Sequence, residues 1–223
     1  MRPAARRSSR STRACRAWCR PGTTSSAGRC RSRSWPSWSR AADARAGRRA
    51  ACYLCRRNEG AMATETIYLA GGCFWGMEDL IRQIPGVVRT EVGYTGGHLE
   101  NPKYDDTHDS KSGHAESVLV EYDPAKLSLE TLLRDHYFKM HDPTTPNRQG
   151  NDVGTQYRSA IFYFNDAQRE VAERVKQQAQ ASGMWKRPIT TEVVPARKWW
   201  KAEEYHQKYL IKNPGGYTCH FYR

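Results

Sequence analysis

Cysteine is the residue type in this chain best suited to covalent chemistry, and its seven copies divide five to two. Cys15, Cys19, Cys30, Cys52 and Cys55 lie in the first 61 residues, and Cys73 and Cys219 lie in the rest. Cys52-x-x-Cys55 has the spacing of a zinc or redox pair. No second pair matches it and residues 1–61 hold no histidine, so these five read as incidental. Cys73 follows Gly71-Gly72, where an apolar strand gives way to a helix. A thiol there lies over the first free helix amides, which with the helix dipole favour the thiolate. The two glycines permit a sharp, close approach of the backbone. The alternative is a buried, inert cysteine. Phe74 and Trp75 come next, and aromatics beside a nucleophile suggest a pocket for a small apolar group, against the plainer reading that both are core. Cys219 sits far down the chain behind the flexible run Pro214-Gly215-Gly216-Tyr217-Thr218. The two thiols could be a redox pair or unrelated.

Hydrophobic patterning gives the elements that must position these residues. Thr66 to Ala70 reads as a strand. A helix from Phe74 carries Met77, Leu80, Ile81 and Ile84 on one face and stops at Pro85-Gly86. Val87 to Tyr94 is a second strand and Ala115 to Tyr122 an alternating third. Between them, Thr95 to Gly113 is a long polar loop. Ser128 can cap a helix running to Met140. A second long loop spans His141 to Gly154, then come a strand from Tyr157 to Phe164, a helix from about Ala167 to Ala181, a strand from Thr190 to Val194 and a helix from Trp199 to Leu210. The order βαββαβαβ contains the split βαβ pattern. The expected fold is α+β: a ferredoxin-like two-layer sandwich with a mixed sheet, long active-site loops and an irregular C-terminal tail.

Net charge is +13 at pH 7, which taken whole suggests a nucleic-acid binder. Residues 1–61 account for all of it, with 16 Arg, no Lys, and only Asp43 and Glu59 as acids. Residues 62–223 hold 20 basic and 21 acidic side chains. The first segment lacks Val, Ile and Phe and cannot bury enough apolar area to offset its ordering entropy, so it is expected to be disordered. Three readings compete: an upstream extension with Met62 as the true start, a transit segment rich in Arg and Ser, or a nucleic-acid-binding tail. The codons for Glu59-Gly60 are purine-rich and fall just before Met62, which favours the first. Residues 62–223 suit one catalytic domain, with no apolar run long enough to span a membrane.

The stretch Gly72-Cys73-Phe74-Trp75-Gly76 resembles the signature of the peptide methionine sulfoxide reductase A family. The resemblance continues through Gly93-Tyr94-Thr95-Gly96-Gly97, Asn101-Pro102-Lys103-Tyr104, Gly113-His114-Ala115-Glu116, His141-Asp142-Pro143, Arg148-Gln149-Gly150-Asn151-Asp152, Gly154-Thr155-Gln156-Tyr157-Arg158-Ser159 and Lys212-Asn213-Pro214. It covers residues 65–220 and none of 1–61.

The resemblance implies a thiol-dependent reduction of methionine S-sulfoxide, free or in proteins. Cys73 would attack the sulfur and Glu116 would protonate the departing oxygen. Strand alternation supports Glu116 independently, since it shares a face with Val118, Val120 and Tyr122, where desolvation keeps a carboxyl protonated. Tyr104 and Tyr157 would donate to the sulfoxide oxygen, Phe74 and Trp75 would wall in the substrate methyl, and Asp152 would order water and the site. Cys219 would resolve the sulfenic acid left on Cys73. It is the one cysteine in the tail, so a single disulfide handed directly to thioredoxin is expected. No cofactor beyond that external reductant and no metal is expected, because His108, His114, His136, His141, His206 and His220 show no ligand spacing. A cytoplasmic monomer is expected, without nucleic-acid or membrane partners, or an organellar one if residues 1–61 are a transit segment. A cysteine hydrolase pairing Cys73 with His206 is the rival enzyme, and a nucleic-acid binder acting through residues 1–61 the rival without catalysis.

Overall fold

A computed structural model describes residues 63–223, the side chain of His108 excepted. The expected disordered extension over 1–61, the Met62 start and the readings of Cys15, Cys19, Cys30, Cys52 and Cys55 lie outside the described residues.

Strand β1 (Glu65–Gly71) turns Ile67 and Leu69 to one face and Tyr68 and Ala70 to the other, the period of two that a pleated chain imposes. Helix α1 (Phe74–Ile81) lays Met77 and Ile81 on the first face. Strand β2 (Val87–Thr95) follows, then the short helix α2 (Tyr104–His108) inside the expected loop, then β3 (Ala115–Tyr122). The helical stretch after Ser128 is real, with Ser128 Oγ accepting from the Thr131 amide at 3.1 Å. It is not one α-helix: α3 (Leu129–Thr131) passes into a π-helical turn over Leu132–Tyr137 and then α4 (Phe138–Met140). The second loop holds a small ladder, β4 (Arg148–Gln149) with β5 (Asp152–Val153). Strand β6 (Ser159–Tyr163), helix α5 (Asp166–Ala181), β7 (Glu192–Pro195), β8 (Trp200–Lys201) and helix α6 (Tyr209–Lys212) complete the order.

The main sheet runs β7-β6-β1-β3-β2-β8. Its inner four strands are antiparallel throughout, with Leu69 opposite Val118 on one side and Ile161 on the other. This is the expected split βαβ arrangement. β7 lies parallel to β6, which needs a long crossover, and α5 supplies it, making the sheet mixed. The larger core joins Ile67, Leu69, Val118, Val120 and Ile161 to Met77, Ile81, Leu132 and Phe138. A smaller cluster on the opposite face joins Tyr68, Ala70, Ala115, Ala160 and Phe162, with Trp199 packed on it.

Two further expectations need correction. Tyr157 does not begin a strand: it ends a 3-10 turn, Thr155–Tyr157, and β6 starts at Ser159. The helix expected over Trp199–Leu210 is absent, since that segment completes the edge of β2 instead. Trp200 pairs with Tyr94 and Lys201 with Gly93, so Trp199 and Trp200 serve opposite faces as strand neighbours must. Further along, the Gln207 amide takes the place of a strand partner. Its Oε1 accepts from the Val92 N–H and its Nε2 donates to the Val92 carbonyl, both at 2.9 Å. Lys208 then adopts φ +53° and only the single turn of α6 is helical.

Candidate active site

Cys73 occupies the N-cap of α1, at the end of the central strand. The turn that brings it there is held by backbone groups on both sides of Cys73. The Ala70 carbonyl accepts from Tyr137 Oη and the Gly71 carbonyl from His220 Nε2, each at 2.8 Å, and the Phe74 N–H donates to Glu116 Oε2 at 3.1 Å. Gly72 has φ +110°, and a Cβ there would sit 2.5 Å from Gln149 Cγ, so both backbone conformation and space demand glycine. A Cβ on Gly76 would strike the Thr218 hydroxyl and the His220 ring. The C-terminal tail thus runs directly over the start of α1.

Glu116 lies opposite Tyr94 in the β2–β3 register and is buried, sharing its face with Val118, Val120 and Tyr122. Burial pushes its pKa up to about 8, with the Asp152 charge adding to the rise and the Phe74 amide opposing it. At neutral pH the carboxyl carries its proton. The Cys73 thiol is also pushed up, by burial first and then by Glu116, while a hydrogen bond from the Trp75 amide pulls it down. The helix-start amide therefore acts as expected, but desolvation outweighs it. A protonated Glu116 removes the second cause of the rise.

Tyr104 is the first residue of α2 and is half-buried; its N–H donates to Glu203 Oε1 at 3.1 Å. Tyr157 is buried. Burial and Glu116 raise the Tyr104 phenol to about 12 and push Tyr157 up likewise, so both remain donors. Each phenol also feels Cys73 and Asp152, which brings all of these groups around one point. Asp152, at the start of β5, accepts from Tyr217 Oη at 3.1 Å. The half-buried Cys219 thiol is pushed up to about 12 by burial and then by its hydrogen bond to Asp152. The nearby Cys73 backbone amide opposes that rise, and the sulfur lies 3.4 Å from His220 Nδ1. Both cysteines are free thiols.

Phe74 is buried against Tyr94 and His206, with ring centroids 5.8 and 5.2 Å apart. Trp75 is partly exposed. Its ring stacks on Tyr209 at 3.8 Å and its indole N–H donates to His206 Nδ1 at 2.9 Å. All eight residues singled out in the sequence thus gather where β1, β3, α2, β5 and the tail meet. Sequence reasoning gave no role of their own to Tyr94, Glu203, Tyr209 and Gln149, named His206 only as the partner of Cys73 in the rival hydrolase reading, and gave His220 none beyond lacking ligand spacing. The one available signal was for Tyr94, whose position in β2 pairs it with the face that carries Glu116. Glu203 binds both the Tyr94 phenol, at 3.2 Å, and the Tyr104 amide, long-range contacts that no local pattern announces. Among the described residues no group of three or more His, Cys, Asp or Glu side chains is disposed to hold a metal ion.

A family model for peptide methionine sulfoxide reductase matches residues 65–223. A peptide methionine sulfoxide reductase MsrA of Nocardia farcinica is 54% identical over 160 residues, which cover 72% of this chain and 91% of the relative. One from Mesorhizobium japonicum is 53% identical over 163 residues, covering 73% and 92%. Among solved structures, reduced Mxr1 from Saccharomyces cerevisiae aligns with a TM-score of 0.68 at 38% identity, covering 72% of this chain and 92% of that one. Methionine sulfoxide reductase A of Corynebacterium diphtheriae aligns with a TM-score of 0.61 at 42% identity, covering 71% and 79%. With that match extending across every motif around Cys73, the chain belongs to the peptide methionine sulfoxide reductase family and is a thiol-dependent peptide-methionine (S)-S-oxide reductase.

Proposed function

We propose that Cys73 is the nucleophile and Glu116 the general acid of this reduction. The observation that carries the reading is a buried carboxyl, protonated up to about pH 8, bonded to the amide next to a cysteine at a helix start. The Cys73 sulfur attacks the sulfoxide sulfur while Glu116 protonates the oxygen, and Tyr104 and Tyr157 donate to that oxygen as its charge grows. The oxygen passes to Cys73 as a hydroxyl, methionine leaves, and the proton first held by the Cys73 thiol restores Glu116. One thiol becomes one sulfenic acid and one sulfoxide becomes one thioether, a balanced two-electron exchange. Phe74 and Trp75 hold the substrate methyl, and Asp152 orders the site beside Cys219.

Cys219 then attacks the sulfenic acid, giving a Cys73–Cys219 disulfide and water. It lies close enough to Cys73 for each residue to shift the other's pKa, and its half-exposed position leaves it open to a reductant, which together support this role. Thioredoxin, which acts on disulfides, is the external reductant. Free methionine sulfoxide and oxidised proteins are the substrates, and residues 62–223 are the catalytic domain of an enzyme acting as a cytoplasmic monomer. Among the described residues no helix is long and apolar enough to cross a membrane.

Single turnover without reductant tests the reading. Wild type should yield one methionine per enzyme and a Cys73–Cys219 disulfide by peptide mapping. Cys219→Ser should yield the same methionine, leave a sulfenic acid on Cys73 that dimedone traps, and turn over with dithiothreitol but poorly with thioredoxin. Full thioredoxin-driven turnover by Cys219→Ser would exclude Cys219 as the resolving thiol. The rival hydrolase reading predicts an acyl product formed without any thiol.

A further inference from the structure

His220 follows Cys219 and is buried. Its Nε2 lies 2.8 Å from the Gly71 carbonyl oxygen, which can only accept, so Nε2 carries the hydrogen. In the neutral ring Nδ1 is then a bare lone pair, and it faces the Cys219 sulfur at 3.4 Å. The ring is held in place because Gly72 and Gly76 leave it room: a Cβ on either would approach it to 3.2 Å and 2.9 Å. A thiol, an imidazole nitrogen within reach of it, and a third group that orients the imidazole form the arrangement of an activated nucleophile. Here the third group is the carbonyl two residues before Cys73. The nucleophile served is Cys219, not Cys73.

We propose that His220 is the general base of the resolving step, its Nδ1 taking the thiol proton of Cys219 as that sulfur attacks the sulfenic acid of Cys73. This rests on Cys219 being the resolving thiol. The S–S bond forms as the S–O bond of the sulfenic acid breaks. The departing hydroxyl takes the Glu116 proton and leaves as water, and the proton on His220 returns to Glu116 through solvent. Cys219 is oxidised and Cys73 reduced, with no outside oxidant. The neighbouring Asp152 charge favours the imidazolium while Arg223 opposes it, and burial keeps the resting ring neutral, with its pKa lowered to about 4. His141, the other buried imidazole facing it, is lowered to about 3 and stays uncharged. The Asp152 carboxyl is a rival acceptor: its Oδ1 takes the Tyr217 hydroxyl and its buried Oδ2 has no hydrogen-bond partner among the described residues. A test must therefore separate it from His220, whose Nδ1 lies 3.4 Å from the sulfur.

His220→Gln separates anchoring from proton transfer, because the Gln Nε2 can still donate to the Gly71 carbonyl while nothing replaces Nδ1. In the full chain, the methionine burst should match wild type, and formation of the mapped Cys73–Cys219 disulfide should slow about 10²-fold, the scale of a lost general base. Sulfenic acid should accumulate and be trapped by dimedone. A native burst with native disulfide formation overturns the proposal and makes Asp152 the acceptor. If the variant gives no burst, wild-type protein with ¹⁵N-labelled histidine decides: His220 Nδ1 should be unprotonated and should shift on disulfide formation, and a protonated Nδ1 overturns it. The two readings fail separately. Should Cys219→Ser retain thioredoxin-driven turnover, the resolving role of Cys219 fails, whereas a slow Cys219→Ser beside a fast His220→Gln defeats this inference alone.

Discussion

A fully buried carboxyl with its pKa at about 8 binds its proton more tightly in the folded chain than in the unfolded one, where the ordinary value is 4.5. The folded state is therefore favoured by Glu116 at low pH, and that advantage is lost as pH rises from the unfolded value through about 8. Catalysis has the same sign, since the acid must be protonated, so the single-turnover rate should fall above about pH 8. Glu116→Gln keeps an acceptor for the Phe74 amide but has no proton to give. It should slow methionine formation by about 10²–10⁴-fold. The same variant should melt at a higher temperature than wild type above pH 8, where wild type must bury a charge. A variant with unchanged rate would remove Glu116 from the mechanism. Asp152→Asn should move the alkaline limb to lower pH, because the Asp152 charge helps raise Glu116. Glu116 was legible in the sequence because strand alternation fixes which side chains share a face. His206, Glu203 and His220 were not, since their partners lie about a hundred residues or more away, at Trp75, Tyr104 and Gly71.

At the scale of elements, the segment after β7 shows where pattern reading stops. Apolar residues at Trp199, Ala202 and Tyr209 sit at helical spacing, yet the unpaired backbone of β2 governs the outcome. Satisfying a buried N–H and carbonyl is worth more than a helical propensity of a few tenths of a kcal/mol per residue. Gln207→Leu, which keeps the bulk and deletes both bonds to Val92, should cost about 1–3 kcal/mol in urea denaturation. A cost near zero would mean that water replaces the amide. The inner sheet, by contrast, was legible, because its strands are long and each pairs on both sides. Gly76→Ala tests the tail's path over α1. The added methyl collides with Thr218 and His220, so disulfide formation should fall while the methionine burst persists. Equal loss of both steps would mean that the helix start itself had moved.

For the whole molecule, charge and chemistry are carried by different stretches of chain. Residues 1–61 hold the entire positive excess, and residues 62–223, with every group assigned to catalysis, are close to neutral. A protein begun at Met62 should match the full chain in melting temperature and in turnover of each methionine sulfoxide epimer. A fall of several degrees, or a several-fold loss of turnover, would show that the first segment supports the fold. Intact mass of the native protein would show which form is made.

The protonated resting state of Cys73 has a consequence for where such a protein can work. Peroxides and alkylating agents react with thiolates, and a thiol held neutral by burial is a poor target for them. Methionine sulfoxide arises by oxidation, in surroundings where such peroxides are present. A resting thiol of this kind should survive there, and in the mechanism proposed its reactivity is called on when a sulfoxide enters and accepts a proton. Resting enzyme at pH 7 should alkylate at Cys73 far more slowly than a cysteine peptide does, and the longevity of the catalyst under oxidative attack would follow from the same burial that slows its thiol.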